Sequence, residues 1–205
     1  MIKIGILGDI GSGKSYVAKN FGYPVFNADA EVGKLYKKER KVFNKLRKVL
    51  PKYIYSFPIN KDEICSAILA NNSNLKKIVS IVHLEIRKKM NAFLKKNINK
   101  KIIVMDIPLL LENKINKKND ILVFVQSKKT DISKRLKKRK NFNLDLYKKF
   151  KNIQLSPDYK KKKSQFIIKN DFTNKPVIKN IKIILKEILW DERSYIRHGN
   201  NRPIS

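Results

Sequence analysis

Apolar residues fall along this chain in two rhythms. Short, nearly unbroken apolar runs occupy residues 3–7, 24–26, 101–105 and 121–125, with a fifth candidate at 166–168. Runs of this length without polar alternation predict strands buried on both faces, as in a parallel sheet. Elsewhere the apolar positions recur at three- and four-residue steps. Leu75, Ile78, Val79, Val82, Ile86, Met90, Phe93 and Leu94 predict one long helix or a broken pair. Val177, Ile178, Ile181, Ile184, Leu185, Ile188 and Leu189 predict a final helix, capped by Thr173 or Asn174 and with Pro176 in its first turn. Strands alternating with helices predict an α/β fold whose parallel sheet is covered on both faces.

The same pattern divides the chain. Residues 36–100 are too long for one crossover and read as helical throughout, so they predict a helical insertion beside the sheet that offers room for a second substrate. Residues 128–163 are densely charged with few apolar positions, which suits mobile helices closing over a phosphate site. Residues 191–205 lack periodicity, contain Gly199 and Pro203, and predict a poorly ordered tail. A single domain over 1–190 is expected, with its core in 1–35 and 101–190.

Between the first strand and a helix start at Tyr16 lies Gly8-Asp9-Ile10-Gly11-Ser12-Gly13-Lys14-Ser15. It fits G-x-x-x-x-G-K-[ST], and its strand–turn–helix setting is the one this phosphate-cradling P-loop requires. Glycines let successive N–H groups converge on one anion, and the helix N-terminus adds its positive end. Lys14 is placed to reach the β- and γ-phosphates and the Ser15 hydroxyl to ligate Mg²⁺. The competing reading is a Gly/Ser turn that precedes a lysine by chance. The four fixed positions and both flanks favour a nucleoside triphosphate site.

In open α/β sheets, ligands gather at the carboxyl ends of the strands. Asp29 follows the second strand; it either orients and deprotonates an attacking hydroxyl or caps the helix that follows. Asp106 follows the third long run and stands as a Walker-B-type acid that holds Mg²⁺ through water, or as a polar strand end. Arg135 and Arg139, four residues apart, offer planar forks for phosphate, or a solvated basic face. His83 and Trp190 read as structural residues.

Composition bounds the rest. Among 205 residues, 42% are hydrophobic, enough for a sizeable core. A single cysteine, Cys65, excludes an internal disulfide and reads as an inert buried thiol. The N-terminal apolar run is broken by Asp9 and is needed as a strand, so neither a signal peptide nor a membrane span is expected, and a cytoplasmic protein is. The net charge of +31 is spread along the whole chain with no basic tail. It reads as solvated faces that also steer anions inward, with a nucleic-acid-binding protein as the alternative.

Three stretches together resemble the dephospho-CoA kinase family of P-loop kinases: residues 5–15, then Asn27-Ala28-Asp29, then Pro108-Leu109-Leu110-Leu111-Glu112-Asn113. Arg135 to Arg139, Ile153-Gln154 and residues 166–170 follow in the family's order, so the resemblance covers Met1 to about Leu189. It implies a P-loop-type five-stranded parallel sheet with a helical CoA-binding insertion and a lid. It also implies an enzyme that uses ATP and Mg²⁺ to phosphorylate the 3′-hydroxyl of the dephospho-CoA ribose; no specific nucleic-acid partner is expected, and the sequence leaves the oligomeric state open, with a monomer as the default. By position, Asp29 matches the family's base, Arg139 its lid arginine, and Gly11, Ser12, Gly13, Lys14, Ser15 and Tyr16 its ATP-phosphate loop. Departures from the family pattern are Leu7 for a threonine, Asp9 for a glycine and Asn27 for an aspartate. Leu84 replaces a proline and Gln165 an aspartate. Another small-molecule P-loop kinase is the alternative enzyme.

Overall fold

A computed structural model of the chain describes residues 1–140 and 142–199, with side chains through Trp190. Five strands are present: β1 (Ile2–Gly8), β2 (Val25–Asn27), β3 (Ile102–Asp106), β4 (Ile121–Gln126) and β5 (Phe166–Lys169). They form one all-parallel sheet in the order β2-β3-β1-β4-β5. Each apolar run thus became a strand, displaced by no more than a residue or two. Strand β1 lies in the middle, and its carboxyl end delivers the phosphate loop between β3 and β4.

Helix α1 (Lys14–Asn20) follows the loop, and α2 (Ala28–Lys38) and α3 (Arg40–Val49) follow β2. Helices α4 (Lys61–Ala70) and α5 (Asn72–Lys96) complete the stretch before β3. Between β4 and β5 lie α6 (Lys129–Lys137), α7 (Leu144–Asn152) and α8 (Pro157–Lys163). Helix α9 (Asn174–Gly199) closes the described chain.

The sheet's two faces follow from the period-two geometry of its strands. Ile4, Ile6, Val104, Val123 and Val125 pack on one face against Val17 of α1, Phe21 just after it, and Val177, Ile181, Ile184 and Ile188 of α9. Leu7, Ile103, Met105, Leu122 and Phe124 pack on the other, against Met90, Phe93 and Leu94 of α5. Gly5 belongs to this second face, where a Cβ would lie 2.5 Å from Leu110 Cδ2. That absence of a side chain lets the segment after β3 fold down over the strand ends.

A separate apolar cluster lies within residues 35–82, built on Leu35, Phe43, Leu46, Ile64, Ile68, Ile78 and Val82. Helix α5 is continuous over its 25 residues and joins the two regions: Ile78 and Val82 enter this cluster, Met90 and Phe93 the sheet.

Three expectations need correction. Residues 36–100 are not helical throughout, because Leu50 to Asn60 run as turns and extended chain between α3 and α4. Helix α9 runs past its expected end near Leu189 to Gly199; residues 200–205 lie outside those described. Its buried stripe anchors the helix, and Asp191 to His198 contains neither Gly nor Pro to stop it. Trp190 is 64% exposed rather than packed, since two residues after Ile188 the helix has turned to its opposite face.

Candidate active site

The loop from Gly8 to Ser15 is shaped by backbone that only glycine adopts easily. Gly8, Gly11 and Gly13 have φ of 151°, 84° and 91°. The carbonyl of Ser12 is held from two sides, by Ser127 Oγ at 3.0 Å and by Asn170 Nδ2 at 2.8 Å. Both donors stand at the carboxyl ends of neighbouring strands, so the sheet fixes the loop. Gly13 directly precedes α1, leaving the first N–H groups of that helix for an anion.

Lys14 is half-buried and folds back over the loop, donating to the carbonyls of Gly8 at 3.2 Å and Asp9 at 2.8 Å. Burial pushes its ammonium down to about 8, opposed by Asp106 and Asp29 and reinforced by Lys160. An arriving phosphate anion would restore the charged form.

Asp29 lies in the first turn of α2 but does not cap it. The cap is Asn27, whose Oδ1 accepts the Ala30 N–H at 2.7 Å. Asp29 is therefore free of a helix-capping duty and opens into the cleft. The crowding of the cleft walls raises its carboxyl above the ordinary range, with the Asp106 charge adding and Lys14 opposing.

Asp106 is 3% exposed at the end of β3. Asn27 Nδ2 donates to its Oδ2 at 2.5 Å and approaches Ser15 Oγ at 3.4 Å. A hydroxyl and a carboxylate, both hard oxygen donors, are thus brought to the same amide. This donor set suits Mg²⁺ shared with substrate phosphates and water. Among the described residues no group of three or more His, Cys, Asp or Glu could hold an ion by itself.

Lys14, Ser15, Asp29 and Asp106 border one cavity of about 550 Å³. Arg135 and Arg139 reach it from the opposite side. Arg139 lies beyond the end of α6, and the Arg135 guanidinium stacks 4.2 Å from the centroid of Phe172. Phe172 itself has φ of 67°, and its N–H is held by Asn170 Oδ1 at 2.9 Å. The Tyr16 hydroxyl meets Asn174 Oδ1 at the start of α9. The far wall is apolar, with Val32, Ile86, Met90, Ile107, Leu109 and Ile115.

Of two further cavity residues, His83 reads from the sequence as structural and Arg87 carries no weight there. His83 lines the cavity instead of serving only the helix core, and burial together with Arg87 lowers its pKa. Arg87 stands one turn further along α5 and also lines the wall. The available signal was an arginine four residues after a histidine, in a chain whose cations are mostly lysine. Cys65 lies apart from the cavity, its thiol pushed up by burial and by Asp62.

Glu112 binds the α7–α8 junction to the segment after β3. Its Oε1 accepts the Leu155 N–H at 2.9 Å and pairs with Lys160 Nζ at 2.8 Å. Lys160 is 1% exposed and also reaches Gln154 Oε1 at 3.3 Å.

Known proteins resemble this chain in sequence and fold. A family model for dephospho-CoA kinase matches residues 2–175. The chain is 32% identical over 190 residues to the dephospho-CoA kinase of Wolbachia pipientis wMel, covering 90% of this chain and 97% of that one. It is also 32% identical over 171 residues to that of Rickettsia bellii, covering 82% and 87% of the two chains. The fold is similar to TT1252 from Thermus thermophilus, with a TM-score of 0.74, 24% identity and coverage of 91% and 97%. A dephospho-CoA kinase from Campylobacter jejuni has a TM-score of 0.60 at 20% identity, with coverage of 91% and 96%. On sequence, fold and site geometry together, this chain belongs to the dephospho-CoA kinase family.

Proposed function

We propose that this kinase transfers the γ-phosphoryl of ATP to the 3′-hydroxyl of the dephospho-CoA ribose, giving CoA and ADP, with Asp29 as base. The carrying observation is that Asp29 and Lys14 open into one cavity while Asn27 takes the capping role. The triphosphate lies on the loop's N–H groups and the start of α1. Lys14 then leaves the Gly8 and Asp9 carbonyls for the phosphate oxygens. The acceptor lies against the apolar wall from α5 and the segment after β3, with the ribose hydroxyl turned toward Asp29.

Transfer is direct and in line. Asp29 accepts the hydroxyl proton, and its raised carboxyl value makes it a better base than an ordinary aspartate. Lys14 and Arg139 neutralise charge on the transferring group. Mg²⁺, where bound, would be held by Ser15 and Asp106 and would supply charge compensation between the phosphates. Residues 128–163 act as a lid that excludes water. Residues 36–100 form the acceptor side.

The test is Lys14→Ala. Loss of transfer to dephospho-CoA in a protein that still folds and melts cooperatively supports the assignment, and near-normal turnover contradicts it.

A further inference from the structure

Asp9 places a carboxylate at the rim of a site built for anions. Its Oδ1 accepts the Ile10 N–H at 2.7 Å and Lys151 Nζ at 2.6 Å. Its backbone carbonyl accepts Lys14 Nζ at 2.8 Å and the Ser12 N–H at 3.2 Å. The phosphate loop, its lysine and α7 therefore meet at one residue. Lys151 lies in the last turn of α7, and its carbonyl receives the N–H of Gln154 at 3.1 Å. Phe150, Ile153 and Gln154 all line the cavity, so the position of Lys151 sets that wall.

Among the described residues, two ion pairs fasten residues 128–163 to the rest of the molecule, and they differ in kind. The Lys160–Glu112 side chains are 2% and 9% exposed, so opening that pair would strand a buried charge. The Lys151 and Asp9 side chains are 34% and 15% exposed, within reach of water and salt. The first is an anchor and the second is a contact that can open. Unpaired, the Asp9 carboxylate would repel an incoming triphosphate; paired, its charge is cancelled at the loop.

We propose that Asp9 is a positioning residue for phosphoryl transfer, strapping α7 over the phosphate loop through Lys151, which in turn cancels the Asp9 charge. This rests on reading residues 128–163 as a lid. Asp9→Asn keeps an acceptor for Ile10 and removes the charge; Lys151→Met keeps the stem.

The experiment measures hydrogen exchange over residues 144–152 and the ATP KM in wild type, both single variants and the double variant, after melting curves confirm folding. Each single variant should speed exchange in the ligand-free protein, and the double should add nothing further. Lys151→Met should raise the ATP KM about fivefold in the wild-type background but less than about twofold beside Asp9→Asn, because the repelling carboxylate is gone. An equal rise in both backgrounds, or unchanged exchange in the single variants, overturns the proposal. If ATP itself leaves exchange over 144–152 unchanged in wild type, the lid reading falls and the proposal with it. ATP protection that persists while the coupling vanishes overturns the proposal alone.

Discussion

Asn27 donates its Nδ2–H to Asp106 Oδ2 at 2.5 Å while its Oδ1 caps α2 through Ala30. One amide thus joins the ends of two adjacent strands and frees Asp29 from structural duty. An aspartate in its place would retain the cap but face Asp106 with a second carboxylate.

Asn27→Asp should therefore make stability pH-dependent in the absence of metal. Two facing carboxylates raise each other's pKa, so the folded state holds protons that the unfolded state has released. Stability is then lost as pH rises from the unfolded carboxylate range through the raised values, by about 1–3 kcal/mol. Added Mg²⁺ should restore it. Melting curves from pH 4 to 8, with and without Mg²⁺, check this; a flat difference from wild type contradicts it.

Asp29→Asn should lower kcat about 10²- to 10⁴-fold with ATP affinity and melting temperature nearly unchanged. Asn27→Ala should do the reverse, costing at least about 1 kcal/mol of stability through the lost cap. A large fall in the melting temperature of Asp29→Asn would return Asp29 to a structural role.

Lys14 and Asp29 define a pH window for activity. The free enzyme's kcat/KM for ATP should fall as pH rises past about 8, where Lys14 loses its proton. It should fall on the acid side as Asp29 is protonated, above the ordinary aspartate value. The stability sign is opposite to that of a paired lysine. A lysine lowered from 10.5 to about 8 binds fewer protons folded than unfolded between those values. Its penalty is full below about 8 and fades as pH rises toward 10.5. Lys14→Met should thus melt higher than wild type at neutral pH, and that advantage should shrink through this interval.

The buried pair should behave as an anchor. Glu112→Gln leaves Lys160 uncompensated in the interior and should cost about 3–5 kcal/mol. Replacing both, as Glu112→Leu with Lys160→Met, should recover most of that loss. Chemical denaturation of the three proteins checks it, and additive losses would contradict it.

What the sequence made legible follows physical range. The five strands and α5 announced themselves by local periodicity, and the P-loop by fixed spacing with matching flanks. Asp29 was found by its place after a strand, yet its competing role as a cap was settled only by Asn27, two residues earlier. Lys151 and Lys160 gave no signal, because each is one cation among 48 and only tertiary pairing with Asp9 and Glu112 distinguishes them. Trp190 was misjudged for the converse reason: it ends an apolar run in the sequence, yet α9 turns it to the face opposite Ile188.

The most direct measurement is product analysis after incubation with ATP, Mg²⁺ and dephospho-CoA, by phosphorus NMR and mass spectrometry. ADP and CoA should form in equal amounts, with the new phosphate on the ribose 3′-oxygen and no transfer to AMP or shikimate. ATP consumed without CoA, or AMP or shikimate phosphorylated as readily, would contradict the assignment.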